Sequence, residues 1–275
     1  MSNEPRPAPG PLSVVEPWEL VSEGYSEESS TVMLPFARHA IALTELSPSA
    51  RVLDVATGPG VLALELAPRV QRVDAVDFSA AMLEQLERRR RALGIENVFA
   101  RLADGQALPF SDASFDAAFS LFGLMFFPER DKGFSELYRT LRPGGVAVVS
   151  SWAPIDQSPL MGLMFGALRA ADPSRAAPQR NPFNLENPDV FLAELEAAGF
   201  RDVRVEPRTH SIFVEDAASF WEPMARASAP IVMLKQRLGP SEWQRQSELA
   251  KAYLVEQVPT PASFSTTAYL GFGRR

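Results

Sequence analysis

Apolar positions divide the chain into a long stretch with a regular beat and a looser remainder. Short apolar runs at 51–56, 72–77, 97–102, 115–121 and 146–151 have strand length and are bounded by turn-forming or polar residues. Between them, 61–67, 80–93 and 131–141 carry apolar residues at helical spacing. Upstream, Met33, Leu34, Phe36, Ala37, Ala40, Ile41 and Leu43 give 31–46 the stripe of an amphipathic helix. The beat weakens after Trp152. A helix is expected at 160–168 and another at 191–200, ended by Gly199. A strand at 202–214 is interrupted by Pro207, two helices follow at 217–224 and 242–258, and a last strand closes the chain at 263–272.

Strands alternating with helices of this length pair in parallel through right-handed crossovers. The predicted fold class is therefore α/β: a doubly wound, mostly parallel, seven-stranded sheet with N-terminal helices and a helical insertion before the last strand. Residues 1–12, rich in proline and polar groups, are expected to be a disordered tail, and 13–275 a single domain. Within it, 14–152 would build the ligand site, and 153–188 and 213–261 would cover it.

One segment carries more information than its neighbours. In Val52-Leu-Asp-Val-Ala-Thr-Gly-Pro-Gly60 an apolar strand runs into a glycine turn, with the carboxylate Asp54 inside the strand. Glycine there permits backbone angles closed to other residues and brings a ligand close to bare peptide. The apolar run that follows makes the turn a helix start, with amides facing whatever is bound. Gly58-Pro-Gly60-Val-Leu-Ala63 also fits the dinucleotide fingerprint G-x-G-x-x-A. Asp54 separates the two ligand classes, because a carboxylate repels a pyrophosphate and attracts a cation.

The second strand ends at Asp77, which can accept both hydroxyls of a ribose. Ser79 would cap the next helix, and Phe78 and Met82 would flank an adenine ring. An ordinary acidic residue at a helix N-terminus accounts for Asp77 in isolation. The third strand ends in Ala103-Asp104-Gly105-Gln106, where an acid can accept from an exocyclic amine, or simply make an Asp-Gly turn.

Charge and composition narrow the partners. There are 27 Lys plus Arg against 34 Asp plus Glu, a net charge of -7. The largest basic run, Arg88, Arg89, Arg90 and Arg91, reads as a solvated helix end. Nucleic acid is therefore not an expected partner. The absence of cysteine excludes disulfides, thiolate metal sites and a cysteine nucleophile, and no metal is expected. With no signal-peptide core at the N-terminus and no stretch long enough to span a bilayer, a cytoplasmic monomer or homodimer is expected.

Taken in order, these residues resemble the class I S-adenosylmethionine-dependent methyltransferases, in particular the small-molecule branch that includes ubiquinone and menaquinone biosynthesis methyltransferases. The family's first motif, acidic-x-Gly-x-Gly-x-Gly, is met by Asp54-Val-Ala56-Thr57-Gly58-Pro-Gly60, with Ala56 in place of the first glycine. The resemblance implies S-adenosylmethionine as cofactor and S-adenosylhomocysteine as product. It implies that Asp54, Ala56, Thr57, Gly58 and Gly60 hold the methionine part and Asp77 the ribose. Ala103, Asp104, Gly105 and Gln106 would then hold the adenine, with Phe78 and Met82 beside it. Ser120 and Leu121, at the end of the fourth strand, and Tyr25, closing over the ligand, complete the expected set.

Phe122, Met125 and Trp152, with Trp18 and Trp221, would form an aromatic wall suited to an apolar or aromatic small-molecule acceptor, although packing explains several of them equally well. The acceptor atom is an oxygen, nitrogen or carbon. Of the two histidines, His39 is expected on a helix surface, and His210 is the best base candidate as well as a plausible structural residue. Two other functions stay open on sequence alone. One is a nicotinamide-dependent oxidoreductase; the other is a cofactor-binding fold that performs different chemistry or regulation.

Overall fold

The computed structural model describes residues 10–178 and 181–275, so positions 1–9 of the expected tail lie outside the described residues. Seven strands form one sheet in the order β3-β2-β1-β4-β5-β7-β6. The strands are β1 (Arg51–Val55), β2 (Arg72–Asp77), β3 (Val98–Leu102), β4 (Phe115–Leu121), β5 (Leu141–Trp152), β6 (Arg201–Val214) and β7 (Ala262–Arg274). All pairings from β3 to β5 are parallel, and β7 runs antiparallel to both β5 and β6. The doubly wound, mostly parallel fold class is therefore observed. Strand order reverses between β1 and β4, which opens a crevice at their carboxyl ends.

Alternation along the strands feeds two cores. Val52, Val73 and Phe119 pack under α1 (Glu16–Ala42), α2 (Val61–Leu66) and α3 (Ala80–Ala92), with Phe36, Leu62 and Leu86 as the helical partners. Leu53, Val55 and Val149 face the other way, onto Phe134 and Leu137 of α4 (Arg130–Thr140) and Phe191 and Leu195 of α6 (Pro188–Ala197). A third cluster joins α5 (Pro159–Ala171), α7 (Ala217–Ala227) and α9 (Pro240–Gln257) around the fully buried Trp221.

Three elements differ from the sequence expectation. The helix expected at 31–46 begins at Glu16, because Pro17 sets the first-turn backbone angle and Glu16 and Glu19 complement the positive end. Gly24 does not break it. A Cβ on Gly24 would lie 2.4 Å from the Arg226 carbonyl oxygen, so the glycine lets α1 and α7 pack backbone to backbone. Pro207 does not interrupt β6, since β6 is an edge strand and its pairing with Tyr269 leaves the missing N–H on the open side. Between the two helices expected in 217–258 lies α8 (Ala229–Leu238), opened by a proline and closed at Gly239 with φ 73°.

Candidate functional site

The glycine turn after β1 is shaped by positive φ at Ala56 (55°), Gly58 (54°) and Gly60 (80°). At Gly60 a Cβ would meet Leu86 at 2.1 Å, so glycine is required there by contact as well as by angle. Across the crevice, Phe122 also has positive φ (58°), and its amide donates to Ser150 Oγ at 3.0 Å. Non-glycine residues in this conformation store strain, and here two of them face each other across one crevice.

A cavity of about 300 Å³ lies at this switch point. Tyr25, Ala56, Gly58, Asp77, Phe78, Met82, Ala103, Asp104, Gly105, Gln106 and Leu121, all anticipated from sequence, line it. A smaller neighbouring cavity shares Tyr25, Ala56, Gly58 and Leu121 and adds Asp54 and Thr57. Gly60 and Ser120 line neither: Gly60 turns the backbone from behind, and Ser120 is fully buried below the floor, its hydroxyl without a partner among the described residues.

Asp54 is 2 % exposed and accepts from Thr57 Oγ1 at 2.6 Å. Burial pushes its carboxyl up to about 7, against the pull of the Thr57 and Ala63 hydrogen bonds and with a further push from the Asp77 charge. Asp77 accepts from the amides of Gly58 (2.8 Å) and Ser79 (2.9 Å), and burial nevertheless holds it up at about 6. The Tyr25 phenol is raised by burial and by the Asp77 charge. Neither carboxylate has a cationic side chain beside it among the described residues. Such a wall suits a ligand that brings its own positive charge and a pair of hydroxyls.

Further contacts fix the rim. Ser79 caps α3 by accepting from the Met82 amide at 3.1 Å, and its hydroxyl donates to Glu19 at 2.8 Å, tying α1 over the Asp77 side of the crevice. Gln106 Nε2 donates to Asp104, while its Oε1 accepts from the Glu129 amide at 2.8 Å. Arg89 is not part of a solvated basic end: its guanidinium donates to the Pro59 carbonyl (3.0 Å) and Ser30 Oγ (2.9 Å), joining the turn to α1.

The expected aromatic wall is only partly assembled. Trp18 and Phe122 line the cavity; Met125, Trp152 and Trp221 do not. A 3-10 turn at Leu124–Phe126 rotates the chain so that Phe126 and Phe127, rather than Met125, face inward. Met125 instead packs in the core beside Ser151, whose Oγ lies 3.4 Å from its sulfur. Trp152 stacks beneath Phe122 at 4.1 Å between centroids. Trp221 is 1 % exposed, and its Nε1 donates to Ser247 Oγ at 2.6 Å, which makes it an anchor of the cluster joining α5, α7 and α9; no described residue of 153–188 or 213–261, expected as covers, lines the cavity.

His210 is likewise absent from the cavity lining. It lies against the edge of Phe36 (4.8 Å), and Phe36 in turn meets Phe122 (5.4 Å), so an aromatic layer separates the imidazole from the crevice. Residues not anticipated from sequence are Leu12, Ser13, Gly123, Phe126, Phe127 and Pro128. The signal for Leu12 was hidden in the presumed tail: its carbonyl accepts from Trp18 Nε1 at 2.9 Å, which folds 10–13 onto the site.

Similarity to known proteins points to the same segment. A family model described as a methyltransferase domain matches residues 52–145. Demethylmenaquinone methyltransferase from Thermus thermophilus is 35% identical over 199 residues, covering 65% of this chain and 86% of that protein. An uncharacterised protein of Mycobacterium tuberculosis is 33% identical over 153 residues, 56% of this chain and 54% of its own length. The chain thus spans about half the length of the mycobacterial relatives it matches. The crystal structure of the 4+2 cyclase SpnF aligns with a TM-score of 0.61 at 20% identity, covering 98% of this chain and 97% of that one. At that identity the likeness is one of fold.

Proposed function

The chain belongs to the class I S-adenosylmethionine-dependent methyltransferases, and from that premise we propose that it methylates an oxygen, nitrogen or carbon of an apolar or aromatic small molecule. Asp54 carries the reading. A carboxyl buried in the wall of the smaller neighbouring cavity, pushed up to about 7 and with no cation beside it among the described residues, would be stabilised as carboxylate by a positively charged ligand beyond what the Thr57 and Ala63 hydrogen bonds supply. Asp77, a carboxylate already serving the amides of Gly58, Ser79 and Phe78, has acceptor capacity left and would hold the ribose, and Ala103, Asp104 and Gln106 would face the adenine.

S-adenosylmethionine supplies an electrophilic methyl group on a sulfonium. What the protein contributes is placement and exclusion of water. Tyr25 and Trp18, carried on α1, close one side; Phe122, Phe126 and Phe127 close the other, leaving an apolar approach for the acceptor. Transfer of this kind depends on alignment more than on covalent help. No histidine lines the cavity, so an acceptor that must lose a proton would lose it to water or to a carboxylate of the site.

The fold likeness to a cyclase keeps a second reading, cofactor binding with other chemistry, in the test. Incubation with methyl-labelled S-adenosylmethionine and a panel of phenols, amines and quinol-like acceptors, read by mass spectrometry, distinguishes them. Label in an acceptor, with one equivalent of S-adenosylhomocysteine, is the expected outcome. Acceptor turnover with the label retained on the cofactor would replace this reading by the second.

A further inference from the structure

The chain contains two histidines, 171 residues apart in sequence, and they meet. His39 Nδ1, near the end of α1, lies 3.1 Å from His210 Nε2 on β6. His39 is exposed and His210 half-buried, so solvent reaches the pair. The ring centroids are 5.0 Å apart with planes inclined at 46°. Two imidazoles sharing a straight N–H···N bond of this length would have centroids about 5.4 Å apart. The shorter separation means that the contact is bent, a hydrogen bond in which one ring nitrogen donates and the other accepts.

Two imidazole nitrogens at this spacing have the bite of a chelate once an ion displaces the proton they share. With metal–nitrogen bonds of about 2.05 Å, two nitrogens 3.1 Å apart subtend an angle of roughly 100° at the ion, between square and tetrahedral. A third oxygen stands on the neighbouring strand. Thr266 is the register partner of His210 on β7, which puts the two side chains on one face. Its hydroxyl is buried, with the residue 1 % exposed, and has no hydrogen-bond partner among the described residues. The other charged groups nearby are already engaged: Arg38 with Glu65, and Arg208 with Glu206.

We propose that His39 and His210, with the Thr266 hydroxyl as a weaker third donor, form a binding site for a divalent first-row transition ion of the imidazole-preferring kind, such as zinc or nickel. Such an ion latches α1 to the edge of the sheet. Because α1 also carries Trp18 and Tyr25, the latch holds the helix that roofs the cavity. The site is separate from that cavity and does not depend on the proposed methyl transfer.

The absence of cysteine and of any other histidine makes the test clean. The full chain, purified without a histidine tag, is titrated calorimetrically with zinc chloride and with nickel chloride. One saturable site is expected for each ion. His39→Gln and His210→Gln should each weaken it at least tenfold, and the double variant no further than the weaker single; Thr266→Val should weaken it less. Saturating ion should raise the melting temperature of the unmodified chain by a few degrees. Cobalt added to the unmodified chain gives a readout that needs no variant, since nitrogen ligation produces visible ligand-field bands shifted and strengthened relative to those of the aqua ion. No saturable binding of either ion, absence of those bands, or full binding in folded His39→Gln or His210→Gln protein would overturn the proposal.

Discussion

Gly123 and Ala56 offer a test of how the crevice is built. A Cβ added at Gly123 would lie 2.3 Å from the Ala56 Cβ, over 1 Å inside ordinary contact, and 3.5 Å from Ser120 Oγ. Gly123 has φ -104° and ψ -55°, a conformation alanine adopts freely, so Gly123→Ala carries the contact cost alone. Overpacking of this size costs about 1–3 kcal/mol, or roughly 2–5 °C in melting temperature for a chain this long. Ala56→Gly releases about 1 kcal/mol of left-handed strain and loses a comparable amount, about 0.5–1 kcal/mol, to the freer unfolded chain. Alone it should be close to neutral. In the double variant the added Cβ meets Ser120 Oγ at 3.5 Å and the Cα at position 56 at 3.6 Å, both ordinary contacts, so most of the loss should be recovered. Urea unfolding of all four proteins, followed by circular dichroism, measures the cycle, with an expected coupling of about 1 kcal/mol or more. If Gly123→Ala unfolds with the unmodified protein, or the two changes add without coupling, the packing argument for this wall is wrong.

Other expectations concern charge and placement. Asp54 at about 7 and Asp77 at about 6 are raised above their unfolded values, so their stabilising contribution is present below about pH 4 and lost as pH rises through 6 to 7. Ligand-free protein should therefore melt at lower temperature at pH 7.5 than these groups alone would allow at pH 5, and affinity for S-adenosylhomocysteine should fall by up to about tenfold per unit below pH 7. An affinity that is flat with pH would count against Asp54 as the cation partner. Trp221→Phe, which removes the bond to Ser247, should cost about 1–3 kcal/mol by thermal unfolding and leave S-adenosylhomocysteine affinity unchanged; lost affinity would put Trp221 back at the site. His210→Gln should leave the methyl-transfer rate within about threefold, and abolition of turnover in folded protein would restore it as a base.

Much of the frame was legible in the sequence because it is local. Strand β2 and the start of α3 follow from apolar runs of strand length, a terminal Asp77 and a capping Ser79, all within a few residues. The cavity floor from Ala56 to Gly58 was legible for the same reason. What escaped depends on contacts distant in sequence. The extension of α1 back to Glu16 includes Gly24, which packs against the α7 backbone, and Pro207 looks like an interruption until β6 is known to be an edge. Met125 and Phe126 exchanged places because a single 3-10 turn shifts which side chain points inward, and helical or strand periodicity contains no sign of it. The meeting of His39 with His210 required the whole sheet to be assembled.

The central claim is that Asp54 makes this crevice a site for a nucleoside whose amino-acid part carries a positive ammonium, present with or without the sulfonium, rather than for a dinucleotide. Calorimetric titration of the unmodified chain and of Asp54→Ala with S-adenosylhomocysteine, and with NAD as the control, tests it most directly. The account predicts one site of micromolar affinity for S-adenosylhomocysteine, none for NAD, and at least a tenfold loss in Asp54→Ala. Binding of NAD in its place, or full affinity without the Asp54 carboxylate, would contradict it.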